Sequence, residues 1–415
     1  MKFIQRNILT GSVLALFFAS CETLPKTESQ EALQSVSGQT VAGQTAGEES
    51  RYERPYDLVS RSEVVATVKS KAVAVDLERQ ALEWGYTLKK EEKLDGLNLI
   101  LLTFDCPPGV DPKDASLELE RLQPKASVGE LHKYELSSSA RSLSNPQTPK
   151  IFANEMLQWP ASGCESHVKI GMIDGGLSQI FLDQSSAKIH RASFVDNTPS
   201  ETAVMHGTSI GSILTDSSLL NGVELYSAAV VSQDKNGADY SSPTAILKAL
   251  DWMVLNEVKV VNISLSGPPN RILEAALDVA TQKGLIIVAA VGNQGQNSAP
   301  QFPAAYNSVL AATAVDVEGD IYDKAVRGNH VDFSAPGVDV YVKTTSRQGK
   351  YISGTSIAAP FITAAIASSP SALDHKTRDD IIRHFANFTT DLGPAGKDRT
   401  FGLGLINAKH ICSAG

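Results

Sequence analysis

Three side chains of the types that cooperate in nucleophilic catalysis stand beside glycines in this 415-residue chain. Ser356 lies in Gly354–Pro360 (GTSIAAP), His206 begins the segment HGTS, and Asp174 follows the apolar run Val168–Ile173 and precedes two glycines. A serine hydroxyl becomes a nucleophile when a base takes its proton, and imidazole titrates near neutral pH. A carboxylate can hold the imidazole tautomer and stabilise the imidazolium. Together the three residue types indicate hydrolysis through a covalent intermediate.

Each of these residues also has an ordinary structural interpretation when it is considered alone. Asp174 could form an Asp-Gly turn, His206 could begin a helix without a chemical task, and Ser356 could cap a buried helix. Their order along the chain, Asp then His then Ser, is one of the few orders in which catalytic triads occur. We therefore predict that Ser356 is the nucleophile, that His206 is its general base and that Asp174 orients the base.

Alternating strands and helices are needed to bring these residues together. Apolar runs of strand length recur after residue 150, at Val168–Ile173, Leu225–Val231, Val258–Ser266, Leu285–Val291 and Val309–Val315. Helical patterns lie between them, such as the apolar face formed by Ile272, Leu273, Ala276, Leu277 and Ala280. This alternation predicts a parallel sheet covered by helices on both sides. Reactive groups of such sheets collect at the carboxyl ends of the strands.

Six motifs make residues 165–410 resemble the subtilisin-like serine peptidases, or subtilases. In chain order they are VKIGMIDGG (Val168–Gly176), HGT (His206–Thr208), VNISLSG (Val261–Gly267), VGNQG (Val291–Gly295), FSAPGVDV (Phe333–Val340) and GTSIAAP (Gly354–Pro360). The resemblance implies an α/β fold, a three-layer subtilisin-like domain with a mainly parallel sheet. It also implies a serine endopeptidase that cleaves peptide bonds through an acyl-enzyme on Ser356.

The resemblance also assigns residues that stabilise charge or bind substrate. Asn293 matches the asparagine whose side-chain amide donates to the oxyanion, beside the backbone N–H of Ser356. Segments that match the strands pairing with extended substrate are Ser264, Leu265 and Ser266 and, facing them, Gly237, Ala238 and Asp239. The pocket for the residue before the scissile bond would be lined by Ala290 and Gly292. Because Gln294 at this pocket is neutral, a broad or apolar preference is implied.

Two features depart from the usual subtilase pattern. Many members have Asp-Thr/Ser-Gly where this chain has Asp174-Gly175-Gly176, so a hydroxyl near the carboxylate is lost. The segment 215–224 after the His206 helix is short, and the longer loop that binds calcium in many relatives is missing from it. The resemblance therefore implies no cofactor and no calcium at that position, and it leaves weaker calcium sites elsewhere open.

Residues 62–137 form a separate pattern of four strands and two helices. The predicted elements are Glu63–Val68, Ala72–Trp84, Tyr86–Lys90, Leu97–Phe104, Pro112–Leu122 and Leu131–Leu136, in the order β-α-β-β-α-β of a small α+β ferredoxin-like sandwich. This pattern resembles the inhibitor-like propeptides of subtilases, which assist folding and block the cleft, and it implies a zymogen. The alternative is an unrelated adaptor of the same common shape.

The first residues have the pattern of an export signal. Lys2 and Arg6 precede the apolar run Ile8–Ser20, which is too short to span a membrane. The run ends in Phe18-Ala19-Ser20-Cys21, which resembles a bacterial lipobox with Phe18 in place of the usual Leu or Val. We predict a lipid on Cys21 that anchors an exported lipoprotein to a membrane of the cell envelope. Ordinary signal cleavage nearby, with Cys21 incidental, is the alternative.

These patterns divide the chain into five segments. They are a signal peptide (1–20), a flexible tether (21–61), the propeptide-like domain (62–137), a linker (138–150) and the catalytic domain (151–415). Cleavage in the linker, between about residues 137 and 148, would release a lipid-free catalytic fragment of about residues 150–415. Export permits one disulfide among three of the cysteines, and the sequence does not choose the pair from Cys106, Cys164 and Cys412.

Composition and missing motifs exclude other functions. The net charge is −9 and no stretch is rich in Lys or Arg, which excludes a nucleic-acid partner. No G-x-S-x-G elbow precedes a matching Asp and His, which argues against a lipase or esterase. The remaining alternative is a non-catalytic surface lipoprotein that uses the fold as a peptide-binding scaffold. Loss of a triad residue would favour it, and none is lost.

Overall fold

The computed structural model describes residues 56–136, 139–140, 152–166, 168–195, 198–343, 349–375 and 377–413. All of them belong to one compact unit, Arg54–Gly415. The predicted signal peptide, the lipidation residue Cys21 and most of the tether and linker lie outside the described residues. Within these ranges, no helix has both the length and the apolar character that crossing a membrane requires.

The strands and helices are numbered here in chain order. The strands are β1 (Glu63–Val68), β2 (Thr87–Leu94), β3 (Leu99–Asp105), β4 (Ser127–Glu130), β5 (Glu135–Leu136), β6 (Ser139–Ala140), β7 (Cys164–Glu165), β8 (Lys169–Asp174), β9 (Lys188–Ser193), β10 (Leu220–Asn221), β11 (Glu224–Ala229), β12 (Val231–Gln233), β13 (Asp239–Ser241), β14 (Val260–Ile263), β15 (Leu265–Ser266), β16 (Ile286–Ala290), β17 (Leu310–Val315), β18 (Phe333–Pro336), β19 (Val340–Lys343), β20 (Gly349–Ser353), β21 (Thr389–Thr390) and β22 (Leu405–Ile406). The α-helices are α1 (Lys71–Glu83), α2 (Pro112–Leu122), α3 (Ala153–Met156), α4 (Gln179–Gln184), α5 (Glu201–Leu214), α6 (Pro243–Leu255), α7 (Arg271–Gln282), α8 (Thr355–Ala367), α9 (Pro370–Leu373) and α10 (Arg378–Phe385). Short 3₁₀ helices lie at Ala386–Phe388 and Ile411–Ser413.

The first four strands form an antiparallel sheet in the order β2-β3-β1-β4. Its central strand β1 alternates between two cores. Val64, Ala66 and Val68 pack with α1 and α2, whereas Val65 joins the core of the larger domain. Such alternation follows from the two-residue period of a strand, and it means that both faces of this sheet are covered.

The prediction of Leu131–Leu136 as the last strand of this sheet is wrong. The fourth strand is β4, and the chain after it leaves the sheet so that β5 pairs with β15 of the larger domain. The physical reason is that the apolar side chains of the two segments are buried in different cores. Val128 of β4 packs in the small core, whereas Leu131 and Tyr134 are buried in the core of the larger domain.

The larger domain is built on a nine-stranded sheet in the order β21-β22-β18-β17-β16-β14-β8-β11-β9. Its neighbouring strands are parallel except for the pair β21–β22. Helices α5 and α8 contact each other over the sheet, and α6 and α7 form a second contacting pair. This architecture confirms the predicted three-layer α/β domain with a mainly parallel sheet.

Helix α8 is buried along its whole length. Alanine, threonine and isoleucine predominate in it, and their small or compact side chains let α8 contact β14, β16, β17 and β18 closely. The parallel strands β8, β14 and β16 end at the same edge of the sheet. The segments that follow these strands therefore meet near the first turn of α8, as expected for a reactive site in such a sheet.

A disulfide joins Cys164, at the start of the larger domain, to Cys412 near its end. The two Cα atoms are 5.6 Å apart although 248 positions separate them in the sequence. Cys106 in the N-terminal sheet is a free, partly buried thiol whose pKa burial raises to about 11. The structure thus selects the one pairing, of the three open ones, that lies wholly within the larger domain.

Loss of this bridge is expected to lower the stability of the larger domain. Replacing Cys164 with Ser should reduce the free energy of unfolding by about 2–5 kcal/mol, because the bridge restricts the unfolded chain. Chemical denaturation of the purified protein measures the change. Cys106→Ser is the matched control, since it removes a thiol and leaves the bridge intact. An unfolding midpoint for Cys164→Ser equal to that of the control would contradict the expectation.

Candidate active site

The three predicted catalytic side chains form one continuous line of hydrogen bonds. His206 Nδ1 lies 2.7 Å from Asp174 Oδ1, and His206 Nε2 lies 3.2 Å from Ser356 Oγ. All three residues are buried. Because a carboxylate only accepts, Nδ1 carries the imidazole hydrogen and Nε2 of the neutral ring can accept from the serine hydroxyl. The geometry therefore suits transfer of the Ser356 proton to His206.

Asp174 and His206 are held by the end of β8 and the middle of α5. Asp174 is the last residue of β8, and its Oδ1 also accepts from the Gly175 N–H at 2.6 Å. His206 lies inside α5, which begins at Glu201, and not at the helix start that the sequence suggested. The earlier start is explained by Ser200, whose hydroxyl accepts from Ala203 N and caps the helix.

Ser356 is the second residue of α8, directly after the turn at Gly354. Its N–H belongs to the first helical turn, where backbone donors have no intrahelical acceptor. Pro360 lies inside α8, and it cannot donate to the Ser356 carbonyl four residues earlier. The hydroxyl of Ser264 donates to that carbonyl instead, at 3.3 Å. Ser264, predicted to bind substrate, therefore also supports the nucleophile.

Asn293 follows β16 and is oriented by Thr355, the residue before the nucleophile. Asn293 Oδ1 accepts from the Thr355 N–H at 3.1 Å and from the Thr355 hydroxyl at 3.0 Å. The same hydroxyl accepts from the Gly292 N–H at 3.1 Å. These contacts fix the orientation of the Asn293 amide, with Oδ1 as its accepting end and Nδ2 as its donating end. Thr355 is a residue of the candidate site that sequence analysis missed, although it lies within the motif GTS.

The lost hydroxyl beside Asp174 has a visible consequence. Asp174 Oδ2 is buried and has no hydrogen-bond partner among the described residues. A side chain at the next position is excluded, because a Cβ atom on Gly175 would lie 2.0 Å from the Ala203 carbonyl oxygen of α5. Gly207 shows the converse contact, since its Cβ would lie 2.5 Å from the Gly176 oxygen. These glycines let α5, and hence His206, lie against the loop after β8.

Restoring the usual hydroxyl at Gly175 is expected to damage the site. Gly175→Ser should lower the thermal unfolding midpoint and remove most of the hydrolytic activity. The clashing atom is the Ala203 carbonyl oxygen, which belongs to the backbone of α5 and cannot move aside easily. Gly176→Ala is the matched control, since its Cβ would meet two side-chain atoms and no backbone, Val204 Cγ2 at 3.3 Å and Pro199 Cγ at 3.8 Å. Thermal unfolding and peptide hydrolysis measure the two effects. A Gly175→Ser protein as stable and active as Gly176→Ala would refute this account of the glycine.

The predicted substrate strand of β15 is occupied by the chain's own residues. Leu136 pairs with Leu265 and Glu135 with Ser266, in an antiparallel register. On the opposite side, the Tyr134 N–H donates to the Ser241 carbonyl at 2.9 Å, and the reverse bond is 2.8 Å. The segment 134–136 therefore lies as an extended strand between two segments of the larger domain.

The facing strand is β13, displaced from the predicted residues. Gly237 and Ala238 lie in the turn between β12 and β13, where Gly237 has a φ of +82°. Asp239 begins β13, and its Oδ2 accepts from the Ser200 hydroxyl at 2.7 Å, so its carboxylate is directed to the cap of α5. Ser241 makes the pairing instead.

Tyr134 fills a buried pocket beside β15. Its side chain is fully buried, and its hydroxyl donates to the Pro268 carbonyl at 2.8 Å. A Cβ atom on Gly267 would lie 2.6 Å from the ring, so the pocket exists because this residue has no side chain. Burial raises the pKa of the Tyr134 hydroxyl well above its usual range.

A second pairing follows on the other side of residues 137 and 138. Ser139 pairs with Ser353 and Ala140 with Ile352, so β6 is antiparallel to β20. Strand β20 leads through Gly354 to the nucleophile. The residues before position 137 thus pair with β15, and the residues after position 138 pair with β20, which leads to Ser356.

The other predicted substrate-binding residues form a wall near Asn293. Ala290 is the buried last residue of β16, and Gly292 lies in the following turn with a φ of +96°. Gln294 Nε2 donates to the Ser266 hydroxyl at 3.2 Å, across the space between this wall and β15. Across the described ranges, no cluster of three or more His, Cys, Asp or Glu residues could hold a metal ion.

Comparisons with known proteins agree with this geometry. A model of the subtilase family (Peptidase_S8) matches residues 165–404. The minor extracellular protease Epr of Bacillus subtilis is 30% identical over 261 residues, which cover 60% of this chain and 39% of that protein. Subtilisin DY of Bacillus licheniformis is 30% identical over 256 residues, which cover 59% of this chain and 90% of that protein.

A solved structure resembles more of the chain than the family model matches. Fervidolysin from Fervidobacterium pennivorans, a keratinolytic enzyme related to subtilisin, aligns with 85% of this chain and 61% of its own, with a TM-score of 0.66 and 17% identity. This likeness supports the fold. The chain spans less than two thirds of fervidolysin and of the Epr protease. Because the family model covers more than half of the 415 residues, the chain belongs to the subtilase family.

Proposed function

We propose that this protein is a serine endopeptidase with Ser356 as its nucleophile. The single observation that carries the proposal is the unbroken line of hydrogen bonds from Asp174 through His206 to Ser356. The Asn293 amide adds a positioned donor beside it, because Thr355 occupies its carbonyl end. A scaffold without catalytic function would have no need for these four groups in reactive alignment.

The reaction follows from these groups. Ser356 Oγ attacks the carbonyl carbon of the scissile bond while its proton passes to His206 Nε2, and Asp174 stabilises the imidazolium. The oxyanion is held by the Ser356 N–H and Asn293 Nδ2, and one such donor contributes about 2.7–4 kcal/mol. The C–N bond then breaks as His206 returns the proton to the leaving amine. Water hydrolyses the acyl-enzyme by the same route.

Pairing on both sides of the nucleophile supports cleavage inside a chain. Strands β13 and β15 bind an extended segment before the reacting bond, and β20 binds a segment after it. Backbone pairing of this kind accepts many sequences, because the main chain makes the hydrogen bonds. Protein or unfolded polypeptide is therefore the proposed substrate class, and exopeptidase action is not expected.

We infer that the N-terminal sheet acts as a propeptide and intramolecular inhibitor. It is docked on α6 and α7 by polar contacts. The Leu97 N–H donates to Asp251 Oδ1 at 2.9 Å, Lys248 pairs with Glu92 at 2.8 Å, and Arg271 pairs with Glu120. Burial raises the pKa of Asp251, an effect that the N–H donor opposes. This docking holds the segment 134–136 in the proposed substrate position.

The pairings on either side support Ser137–Ser138 as the bond that the protein cleaves in itself. Leu136 faces Leu265, and the next residue of the domain in that register is Ser264, which contacts Ser356. From the other side, Ser139 faces Ser353, and Gly354 comes next. The positions of Ser264 and Gly354 beside Ser356 therefore support a cut between residues 137 and 138. The predicted cleavage range of about 137–148 is thereby narrowed to its first bond.

We also propose that the protein is exported and anchored through a lipid on Cys21. The supporting features are Lys2 and Arg6 before the short apolar run and the lipobox-like ending. The lipid would remain with the tether and the propeptide. Cleavage at Ser137–Ser138 would therefore free a lipid-free catalytic fragment once the propeptide dissociates.

Labelling with a fluorophosphonate tests the catalytic assignment, because this reagent requires an activated serine. The purified wild-type protein should be labelled at Ser356 and nowhere else, as located by peptide mass analysis. Ser217→Ala, at an exposed serine, should label like the wild type. Folded, self-processed wild-type protein that resists labelling would support the non-catalytic scaffold instead.

A further inference from the structure

Two glutamine side chains occupy the space between the walls of the proposed pocket next to Asn293. A Cβ atom on Gly292 would lie 2.5 Å from Gln294 Oε1 and 3.0 Å from Gln301 Cγ. Gln294 also spans the pocket mouth, because its Nε2 donates to the Ser266 hydroxyl at 3.2 Å. One wall therefore reaches the other through these side chains.

Gln301 is held in this position from both ends. Its Nε2 donates to the Ala299 carbonyl at 2.9 Å. The next residue, Phe302, exchanges two backbone hydrogen bonds of 2.9 Å with Gly267, directly after β15. Gln301 is partly buried, whereas Gln294 is exposed and can move more easily. Gln301 therefore forms the fixed obstruction, and Gln294 forms a rim over it.

This space receives the side chain of the residue before the scissile bond, if the proposed peptidase function holds. That residue must present its carbonyl to Asn293 and Ser356, and Gly292 is the immediate neighbour of Asn293. In β5 on β15, Leu136 pairs with Leu265. A substrate residue one position further along the same register would face Ser264. A large side chain at this position would meet Gln301 or would have to displace it.

We propose that Gln301, with Gln294 at the rim, restricts the peptidase to substrates with a small residue, Ser, Ala or Gly, before the scissile bond. The proposal rests on the peptidase function above and names its substrate class. It is narrower than the broad or apolar preference that the neutral Gln294 suggested. Ser137, the residue before the bond that the protein is proposed to cleave in itself, is such a residue. Forcing a large side chain into a filled site costs about 1–3 kcal/mol, which corresponds to about 5- to 150-fold in rate.

The test compares peptides of the form Tyr-Glu-Leu-X-Ser-Ser, with X as Ser, Ala, Leu or Phe. The full-length protein is purified after self-processing, and its active sites are titrated with a fluorophosphonate. The wild type should cleave after Ser or Ala with a kcat/KM at least about 10-fold above that for Phe. Mass analysis of the products identifies the bond.

Variants then separate the two glutamines from the rest of the cleft. Gln301→Gly and the milder Gln301→Ala should raise hydrolysis of the Phe peptide relative to the Ser peptide by about 10-fold, and Gln294→Ala should raise it less. Gln282→Ala on an exposed helix end is the matched control and should keep the wild-type ratio. Equal cleavage after Ser and Phe by the wild type, or a ratio unchanged in both Gln301 variants, would overturn the proposal and leave the peptidase function standing. Failure of the wild type to cleave any peptide would overturn both.

Discussion

Replacing Ser356 with Ala is expected to lower kcat for hydrolysis of an unfolded protein by about 10⁶-fold, the size of loss that follows removal of the nucleophile from a subtilisin triad. Alanine removes only the oxygen that attacks the substrate. The Asn293 donor and the paired strands remain, but the uncut propeptide still holds segment 134–136 on those strands, so the loss should be at least this large. Release of soluble peptides from casein, measured at equal protein concentration, gives the result.

A loss of activity in this variant must be distinguished from a failure to fold. Ser356→Ala should still unfold in one cooperative transition, because its hydroxyl makes only the contact with His206 among those described. Ser217→Ala is the exposed serine control and should keep full activity. Substantial casein hydrolysis by a folded Ser356→Ala protein would contradict the assignment of the nucleophile.

Replacing Asp174 with Asn is expected to lower kcat by about 10⁴-fold. The asparagine has nearly the same shape but carries no charge to stabilise the imidazolium. Its amide nitrogen would either face His206 Nδ1 and force the wrong tautomer, or lie at the position of Oδ2, which has no partner among the described residues. Both arrangements disfavour proton transfer from Ser356.

The control for Asp174→Asn is Asp183→Asn, at an exposed position of helix α4. This control variant should be fully active. Steady-state kinetics with one peptide substrate measures kcat and KM separately. The fall should appear in kcat with little change in KM, because Asp174 does not contact the substrate strand. A fall of less than about 10-fold would show that the carboxylate does not serve the base.

The positions of the four proposed catalytic groups were predictable from sequence because each lies in a short local motif. Asp174 ends an apolar strand, His206 and Ser356 stand beside glycines, and Asn293 follows another strand. A parallel sheet brings such strand ends together whatever the lengths of the helices between them. The central site therefore depended on features that are readable within a few residues.

Other features depend on contacts between distant segments, and sequence analysis missed or misplaced them. The strand predicted at Leu131–Leu136 does not join the small sheet, because Leu131 and Tyr134 are buried in the core of the larger domain. The bridge between Cys164 and Cys412 joins residues 248 positions apart, and no local pattern marks that pair. Gly175 was recognised only as a lost hydroxyl, because the Ala203 carbonyl that excludes a side chain belongs to another element.

The size of the pocket next to Asn293 could not be predicted from sequence either. The neutral charge of Gln294 is readable from sequence, and it suggested an apolar or broad preference. The volume that Gln301 occupies is not readable, because it depends on the pairing of Phe302 with Gly267. Charge is thus a property of a residue, whereas pocket size is a property of the packing around it.

Intact mass analysis of the purified wild-type protein beside Ser356→Ala tests the central claim most directly. The wild type should yield a lipid-free catalytic fragment that begins at Ser138 and carries all of the hydrolytic activity. Ser356→Ala should remain uncut at Ser137–Ser138 and keep the lipid on Cys21. A full-length, lipidated wild-type protein that is fully active, or a Ser356→Ala protein cut at the same bond during incubation in isolation, would contradict the account.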